Sequence, residues 1–553
     1  MIKEEYGAGK RKYVVCFVIL WVLQMAAAFW FCAKKQGFHE DEYYTYYSTS
    51  RTNGFYVEDG KWMARDAYRD EFVVLPGQRF QYGLVRQVQS WDVHPPMYYW
   101  VFHTVASLVP GVFSKWIGLS VNLFFHGINL ILLTYLSYLT SEGDGKLAFW
   151  VSFVYGFCPA AMSGVVFIRM YEMLTVFVLL CAVLHVRAYR VLKNRETEGA
   201  RLSVLRELIP MAAVTYIGFL TQYYYFIFLF FLALSFCVWL LWRDRHIWNC
   251  LRYGVFQAVA FVFAYLTYPA FPGQMFRGQR GAQATESFFD LSNTFERFSF
   301  FGDLMNRFVF GGLLCMILPA LAAGAVYLRK AGEKSGKKRS GMGKVTGAGG
   351  YGMLLAAVVG YFTAVSKTAL LLGDTSVRYQ LPVYGIAVLL VSAAVGALCK
   401  AASGLPRQRR ISSRAAGWIT MICCIAVIAA GYRKSDVAFL YPEDTARAAF
   451  AKEQAQSGAL AVYLYNPGEE WCIWDVTDEL LFYPSVYFAG TDSAERIADE
   501  RIADAGAFVV YLAKGADVEK QLARFCEESG GPVRNGLQLI FEEKYCDVYR
   551  LLR

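Results

Sequence analysis

Charge is scarce in this chain and poorly spread. Asp, Glu, Lys and Arg make up only 18% of the 553 residues, against 56% hydrophobic and 17% aromatic. Few of those charges fall in the middle of an apolar run, which argues against a carrier with a charged path through the bilayer. Internal repeats, the other mark of many carriers, are not evident. CxxC pairs and the Cys/His spacing of a zinc site are also missing, so the ten of thirteen cysteines in or beside apolar segments read as small core hydrophobes. Cys472, Cys526 and Cys546 lie in a polar tail, where an odd number permits at most one disulfide. The net charge of +10 is not a nucleic-acid signature either. From Lys434 onward 21 Asp and Glu face 12 Lys and Arg, so the positive excess lies wholly in the apolar part. There it marks cytoplasmic loops and anionic lipid.

What the chain does have is apolar length. Runs of 17 to 24 residues recur over the first 433 positions, enough to cross a hydrocarbon core. The first span is 13–33, preceded by Lys10, Arg11 and Lys12, which predicts a cytoplasmic N-terminus and an uncleaved anchor rather than a signal peptide. Further crossings are expected near 117–139, 147–167, 170–187, 207–221, 223–242, 250–270, 305–328, 350–372, 381–400 and 416–432. Basic stretches at 187–206, 243–245, 329–344 and 400–414 all face the cytoplasm in this eleven-span reading. The apolar stretch 95–110 is short, begins with proline and is rich in aromatics, so it is expected to be a juxtamembrane helix. Residues 332–350, rich in Gly and Lys, read as a flexible cytoplasmic linker.

Hydropathy collapses after Tyr432. Strand patterns at 459–465, 485–488, 507–512 and 538–540, with helical patterns at 495–505 and 518–528, predict a soluble α/β domain. The last stretch, 544–552, is expected to pair with the strand before it. The division is thus 1–433, a transmembrane domain with an outer loop 34–116, and 434–553, an extracytoplasmic α/β domain. The setting is a multi-pass protein of the plasma or inner membrane.

In this topology the unusual polar clusters share one side. Glu40, Asp41 and Glu42 stand in the outer loop, three consecutive acids whose like charges are costly to hold together. Trp91-Asp92-Val93-His94-Pro95-Pro96-Met97-Tyr98-Tyr99 closes that loop. Arg169 with Tyr171 and Glu172, Thr221-Gln222-Tyr223-Tyr224-Tyr225, Arg277 with Arg280, and Arg378-Tyr379-Gln380-Leu381-Pro382 lie at outer ends of spans. An ion pair between Arg169 and Glu172, one helical turn apart, would account for both. Asn122, His126 and Asn129 share one face of the second span and read as helix-packing contacts. Residues 271–303 form a long stretch with Phe288, Phe289, Leu291, Phe295 and Phe298 among polar residues, which predicts an interfacial helix.

The order of these pieces resembles the dolichyl-phosphate-mannose protein mannosyltransferase-like branch of the C-type glycosyltransferases. The pieces are D-E about eight residues after the first span, D-x-H-P-P-x-Y-Y, R-x-Y, T-Q-Y-Y where relatives often show T-H-Y, and R-Y-x-x-P before a late span. The resemblance covers about residues 10 to 432. It implies transfer of a sugar from a polyprenyl-phosphate donor to a hydroxyl of a protein, lipid or glycan acceptor, with inversion. Asp41 matches the catalytic acid and would be the general base, with Glu42 orienting the acceptor. His94, Arg169, Tyr171, Gln222, Tyr223, Tyr224, Arg378 and Tyr379 would contact substrate, with Arg378 on the phosphate. The sequence requires no cofactor; a divalent metal is compatible with it, but Gln222 replaces the histidine that such a site would use. The competing class is a transporter or flippase of a lipid-linked or anionic solute. A membrane-anchored sensor would not need eleven spans.

Overall fold

The computed structural model describes residues 2–50, 57–194, 201–244, 247–334, 348–403, 413–493, 497, 499–529 and 537–552. Most of the expected linker 332–350 and parts of three basic loops lie outside the described residues. The chain divides into two compact units. One comprises Met1–Ala33, Gln89–Tyr98 and Leu119–Ala438; the other comprises Lys34–Val88, Tyr99–Gly118 and Phe439–Arg553. The outer loop, grouped with the membrane region on sequence grounds, therefore folds mainly with the C-terminal residues.

The first unit is a helical membrane bundle. Among the described residues nine helices are long and apolar enough to cross a bilayer, and two bent pairs bring the number to eleven if each is one span. These correspond to the eleven stretches read from hydropathy. The pair Gly145–Phe157 and Pro159–Val166 bends by 58° where Pro159, with no amide hydrogen to donate, opens the second helix. The pair Thr294–Phe310 and Leu314–Tyr327 bends by 90° at Gly311 and Gly312, with φ of 62° and 81°. A Cβ on Gly311 would lie 2.4 Å from the Val427 carbonyl oxygen, so both conformation and space demand glycine there.

Two boundaries differ from expectation. The helix beginning at Tyr171 runs to Lys193, and residues 271–303 form three helical segments, Phe271–Phe276, Gln279–Phe289 and Thr294–Phe310. The last already contains Phe295 and Phe298 and continues as the first half of a bent pair. A hydropathy window sees its polar start as loop, whereas Lys367 holds that start in place. Its Nζ donates to the Asp290 carbonyl at 2.5 Å, to Asn293 Oδ1 at 2.5 Å and to Thr294 Oγ1 at 3.0 Å.

The second unit is built on a six-stranded sheet: β1 (Lys61–Ala64), β2 (Leu460–Tyr465), β3 (Ser485–Gly490), β4 (Ala507–Ala513), β5 (Leu537–Glu542) and β6 (Cys546–Leu552), in the order β1-β3-β2-β4-β6-β5. β2 runs parallel to β3 and β4, and the remaining pairs are antiparallel. β6 pairs with β5 as anticipated and also with β4. β1, from the outer loop, was not anticipated. Side chains alternate between faces. Val462, Leu464, Val510 and Leu512 pack with Ile502, Leu522 and Phe525 under the helix Val518–Glu528. Tyr463 and Tyr511 stack on the opposite face, with ring centroids 6.0 Å apart. The helix expected at 495–505 is described only as Glu500–Asp504.

Candidate active site

In the sheet-bearing unit the three consecutive acids open the helix Glu40–Ser48. His39 is its N-cap. The ring Nδ1 accepts from the Asp41 amide at 3.1 Å, and Glu42 Oε2 accepts from the His39 amide at 2.6 Å, a reciprocal capping box. The partial positive charge of the helix start favours all three carboxylates. Each flanking acid also has its own cation. Lys35 Nζ meets Glu42 Oε2 at 2.9 Å with both side chains fully buried, and Glu40 Oε2 takes Lys544 and the Tyr545 hydroxyl. Lys35 also donates to the Phe439 carbonyl at 2.7 Å, from a residue whose φ of 68° is in the left-handed region. Asp41 keeps about a third of its side chain exposed, with Oδ2 at 3.6 Å from His39 Nδ1. The arrangement fixes the backbone under Asp41.

Buried acids surround this helix within the same unit. Burial pushes Asp478 up to about 7, against a hydrogen bond from Tyr43, and Asp444 up to about 6, against the opposing charge of Arg447. Burial likewise raises Asp475 to about 6, Glu543 to about 7 and Glu479 to about 8. Arg447 pairs with Asp444 at 3.0 Å and with Glu543. Gly37 makes room for Asp444, whose carboxylate would clash with any Cβ there.

The membrane unit assembles a cationic and aromatic cluster at the connection between the helices Pro159–Val166 and Tyr171–Lys193. Arg169, in that connection, is buried, with Nη2 3.3 Å from His94 Nε2. The other ring nitrogen of His94 lies 2.9 Å from Asp92 Oδ2. Burial works to raise the Asp92 pKa, but His94 and Arg169 outweigh it, so the carboxyl falls below its ordinary value. Gln274 locks this corner: its amide nitrogen donates to the Gln89 and Asp92 carbonyls at 2.8 and 2.6 Å, and its oxygen accepts from the Tyr223 hydroxyl at 2.5 Å. Gln222 turns inward on its own chain, with Oε1 accepting from the Tyr224 amide at 3.1 Å.

Arg378 stands at the start of the long helix Val377–Ser403. Its guanidinium is buried over two rings, 5.1 Å from Phe167 and 5.0 Å from Tyr379, and donates to the Tyr379 hydroxyl at 3.1 Å. Tyr379 in turn packs edge-on against Tyr171 and Tyr224, at 6.1 and 6.3 Å. Arg169, Tyr171, Arg378 and Tyr379 thus gather where two long helices begin, and helix starts favour anions.

Glu172 is not spent on Arg169 in the manner that spacing suggested. Its Oε2 accepts from Asn129 at 2.7 Å and lies 3.3 Å from His126 Nδ1, all three side chains being buried. Asn122 Nδ2 donates to the carbonyls of Val165 and Phe167. The polar face of the second span therefore grips both ends of the connection that carries Arg169. Gly164 permits the close approach, since a Cβ there would sit 2.5 Å from Leu381 and 2.6 Å from Glu172.

Sequence reasoning did not single out Asp92, Phe167 or Gln274 as site residues. Asp92 had a signal, two residues before His94 in the same motif; a lone glutamine in the short helix Phe271–Phe276 had none. Among the described residues no group of three or more His, Cys, Asp or Glu is placed to hold a metal ion.

No family model matches the chain, and no curated protein matches it in sequence. Among solved structures it is similar to ArnT from Cupriavidus metallidurans bound to undecaprenyl phosphate, with 12% identity and a TM-score of 0.51 over 98% of each chain. It is also similar to ArnT from the same organism in the apo state, with 11% identity and a TM-score of 0.45 over 98% of each chain. A third likeness is to the archaeal oligosaccharyltransferase AglB from Archaeoglobus fulgidus in complex with an inhibitory peptide and a dolichol-phosphate. There the identity is 10% and the TM-score 0.42, over 91% of this chain and 70% of that one. The first likeness spans both chains almost end to end and gives the architecture: a C-type glycosyltransferase fold.

Proposed function

We propose that the chain is a membrane glycosyltransferase that moves a sugar from a polyprenyl-phosphate carrier to an acceptor hydroxyl on the outer face, with inversion. The observation that carries the proposal is the pairing of Arg169 and Arg378 with the starts of two long helices. Two guanidiniums and two helix dipoles make a place for a phosphate that gains charge as it leaves. Tyr171, Tyr379 and Tyr224 offer ring faces beside it, suited to a sugar or an isoprenoid.

Asp41 is the general base. It takes the acceptor's hydroxyl proton as the acceptor oxygen bonds to the anomeric carbon, and the bond from that carbon to the phosphate oxygen breaks, its electron pair leaving with the phosphate. Attack opposite the leaving group inverts the anomeric centre, through a state with oxocarbenium character. Glu42 serves this step by holding the backbone of Asp41. His94 and Asp92 orient Arg169. No step is routed through a metal. The bilayer supplies the donor laterally, the N-terminus is cytoplasmic, and both the acidic helix and the sheet-bearing unit are extracytoplasmic.

The test is transfer from labelled polyprenyl-phosphate sugars by Asp41→Asn in proteoliposomes. Loss of a general base predicts a fall of roughly 10²–10⁴-fold in rate with donor binding retained. Near-normal transfer would sink the assignment, and solute export without transfer would favour a carrier.

A further inference from the structure

A cavity of about 280 Å³ in the sheet-bearing unit takes no part in the reaction proposed above. It lies at the carboxyl ends of β2 and β4, where Tyr463 and Asn466 meet Lys514, with Glu469, Trp471 and Tyr545 as further walls. β2 and β4 are parallel neighbours. The chain leaving β2 continues to β3 on one side, and the chain leaving β4 continues to β5 and β6 on the other. Outgoing segments that part in this way open a crevice, and in open α/β sheets that crevice is where ligands bind.

The walls are made for a small polar ring. Trp471 is 46% exposed and packs edge-on against Tyr545 at 5.0 Å, so the cavity has broad aromatic surface. Asn466 is locked across the strand ends: its Nδ2 donates to the Lys514 carbonyl at 3.0 Å and to Glu469 Oε2 at 3.2 Å, and its Oδ1 accepts from Thr491 at 3.0 Å. The amide and carboxylate stand at the mouth in fixed positions. Tyr463 lines the interior. Its buried hydroxyl lies beside the Cys546 thiol, a weak partner, and meets no oxygen or nitrogen among the described residues. A buried hydroxyl left in that state is destabilising, and a ligand hydroxyl would satisfy it. Lys514 pairs with Asp547 at 3.4 Å and Glu469 adds a carboxylate, so the lining disfavours an anionic ligand. The volume falls just below the roughly 300–1,000 Å³ of drug-sized sites, enough for one ring and little more.

We propose that this cavity binds a single neutral saccharide residue, with its C–H face on the aromatic wall and its hydroxyls on Tyr463, Asn466 and Glu469. The site is separate from the transferase reading and does not depend on it. The experiment is saturation-transfer NMR on the full chain in lipid nanodiscs, with methyl glycosides of a hexose and of an N-acetylhexosamine as probes and adenosine as aromatic control. At least one glycoside should receive transfer, and the signal should fall roughly tenfold in Trp471→Ala and in Asn466→Ala, the loss of about 1.4 kcal/mol of binding. Tyr463→Phe removes only a hydroxyl and should weaken the same signal with the fold intact. Asp41→Asn should bind as the parent does, which separates this site's failure from that of the transferase. Silence from both glycosides, signals unchanged in all three cavity variants, or equal transfer to adenosine would overturn the proposal.

Discussion

The buried cations of the membrane unit and the buried acids of the sheet-bearing unit are held in different ways. Arg378 rests on the rings of Phe167 and Tyr379, Arg169 reaches a histidine ring, and Lys367 is coordinated by a carbonyl and two side-chain oxygens. Rings and carbonyls are prominent among the groups that steady these cations. In the other unit Asp444, Asp475, Asp478, Glu479 and Glu543 crowd one another, and burial raises the pKa of each. There burial works against the charged form, and Arg447 works against burial at Asp444 and Glu543. The lesson is that burial alone does not decide whether a group stays ionised; the partners it is buried with do.

The sharpest way to break the comparison is to keep the charge and change its shape. Arg378→Lys preserves a cation at the same helix start but loses the planar fork and the stacking on Phe167 and Tyr379. If charge on rings is what the phosphate needs, transfer should fall by roughly 10²-fold, as when one donor is withdrawn from an oxyanion site. Arg169→Lys should cost less, because His94 can still meet an ammonium. A normal rate in Arg378→Lys would show that net charge suffices.

A second perturbation turns one unit's habit into the other's. Lys35 and Glu42 are an ion pair with both side chains fully buried. Lys35→Met strands the Glu42 carboxylate, which should cost about 3–5 kcal/mol of stability in the sheet-bearing unit and disturb the cap under Asp41. Lys35→Met with Glu42→Leu should recover most of that stability, since nothing charged is then left buried, while the lost capping box keeps transfer below the parent's. Thermal unfolding and the transfer assay read the two effects apart. Equal stability of the single and double variants would mean that the pair is not what holds the helix start.

How far sequence reached follows the same division. The spans were legible because crossing a bilayer is a matter of apolar length, which one dimension records. Arg169, Arg378, His94 and Tyr379 were legible because charged and aromatic residues at span ends are few. Asn122, His126 and Asn129 were half legible: their spacing announced a shared face, but only the fold shows that the face grips Glu172 and the carbonyls of Val165 and Phe167. β1 was not legible at all. Four residues, Lys61–Ala64, carry too little pattern, and their partner Ser485–Gly490 is more than four hundred positions away. Gln274 escaped for a related reason, since a neutral side chain in a short helix says nothing of the two carbonyls and the tyrosine it joins.

The smallest effect tests the acids themselves. Glu479 is buried and its folded pKa is raised from an ordinary 4.5 to about 8, burial being the main cause and Glu543 the next. A raised carboxyl binds its proton more tightly in the folded state, so folding takes up protons between those two values. Stability of the sheet-bearing unit should therefore be highest below about pH 5 as far as this group is concerned. It should decline as the pH rises through 8 and the folded carboxyl ionises. Glu479→Gln removes the titration while keeping shape and hydrogen-bonding capacity. At pH 8.5 the variant should unfold at a higher temperature than the parent, and near pH 5 the two should agree. The slope of midpoint against pH is the decisive reading: a Glu479→Gln variant that follows the parent's slope would show that Glu479 is ionised within the fold, and that the crowded acids are held as charges after all.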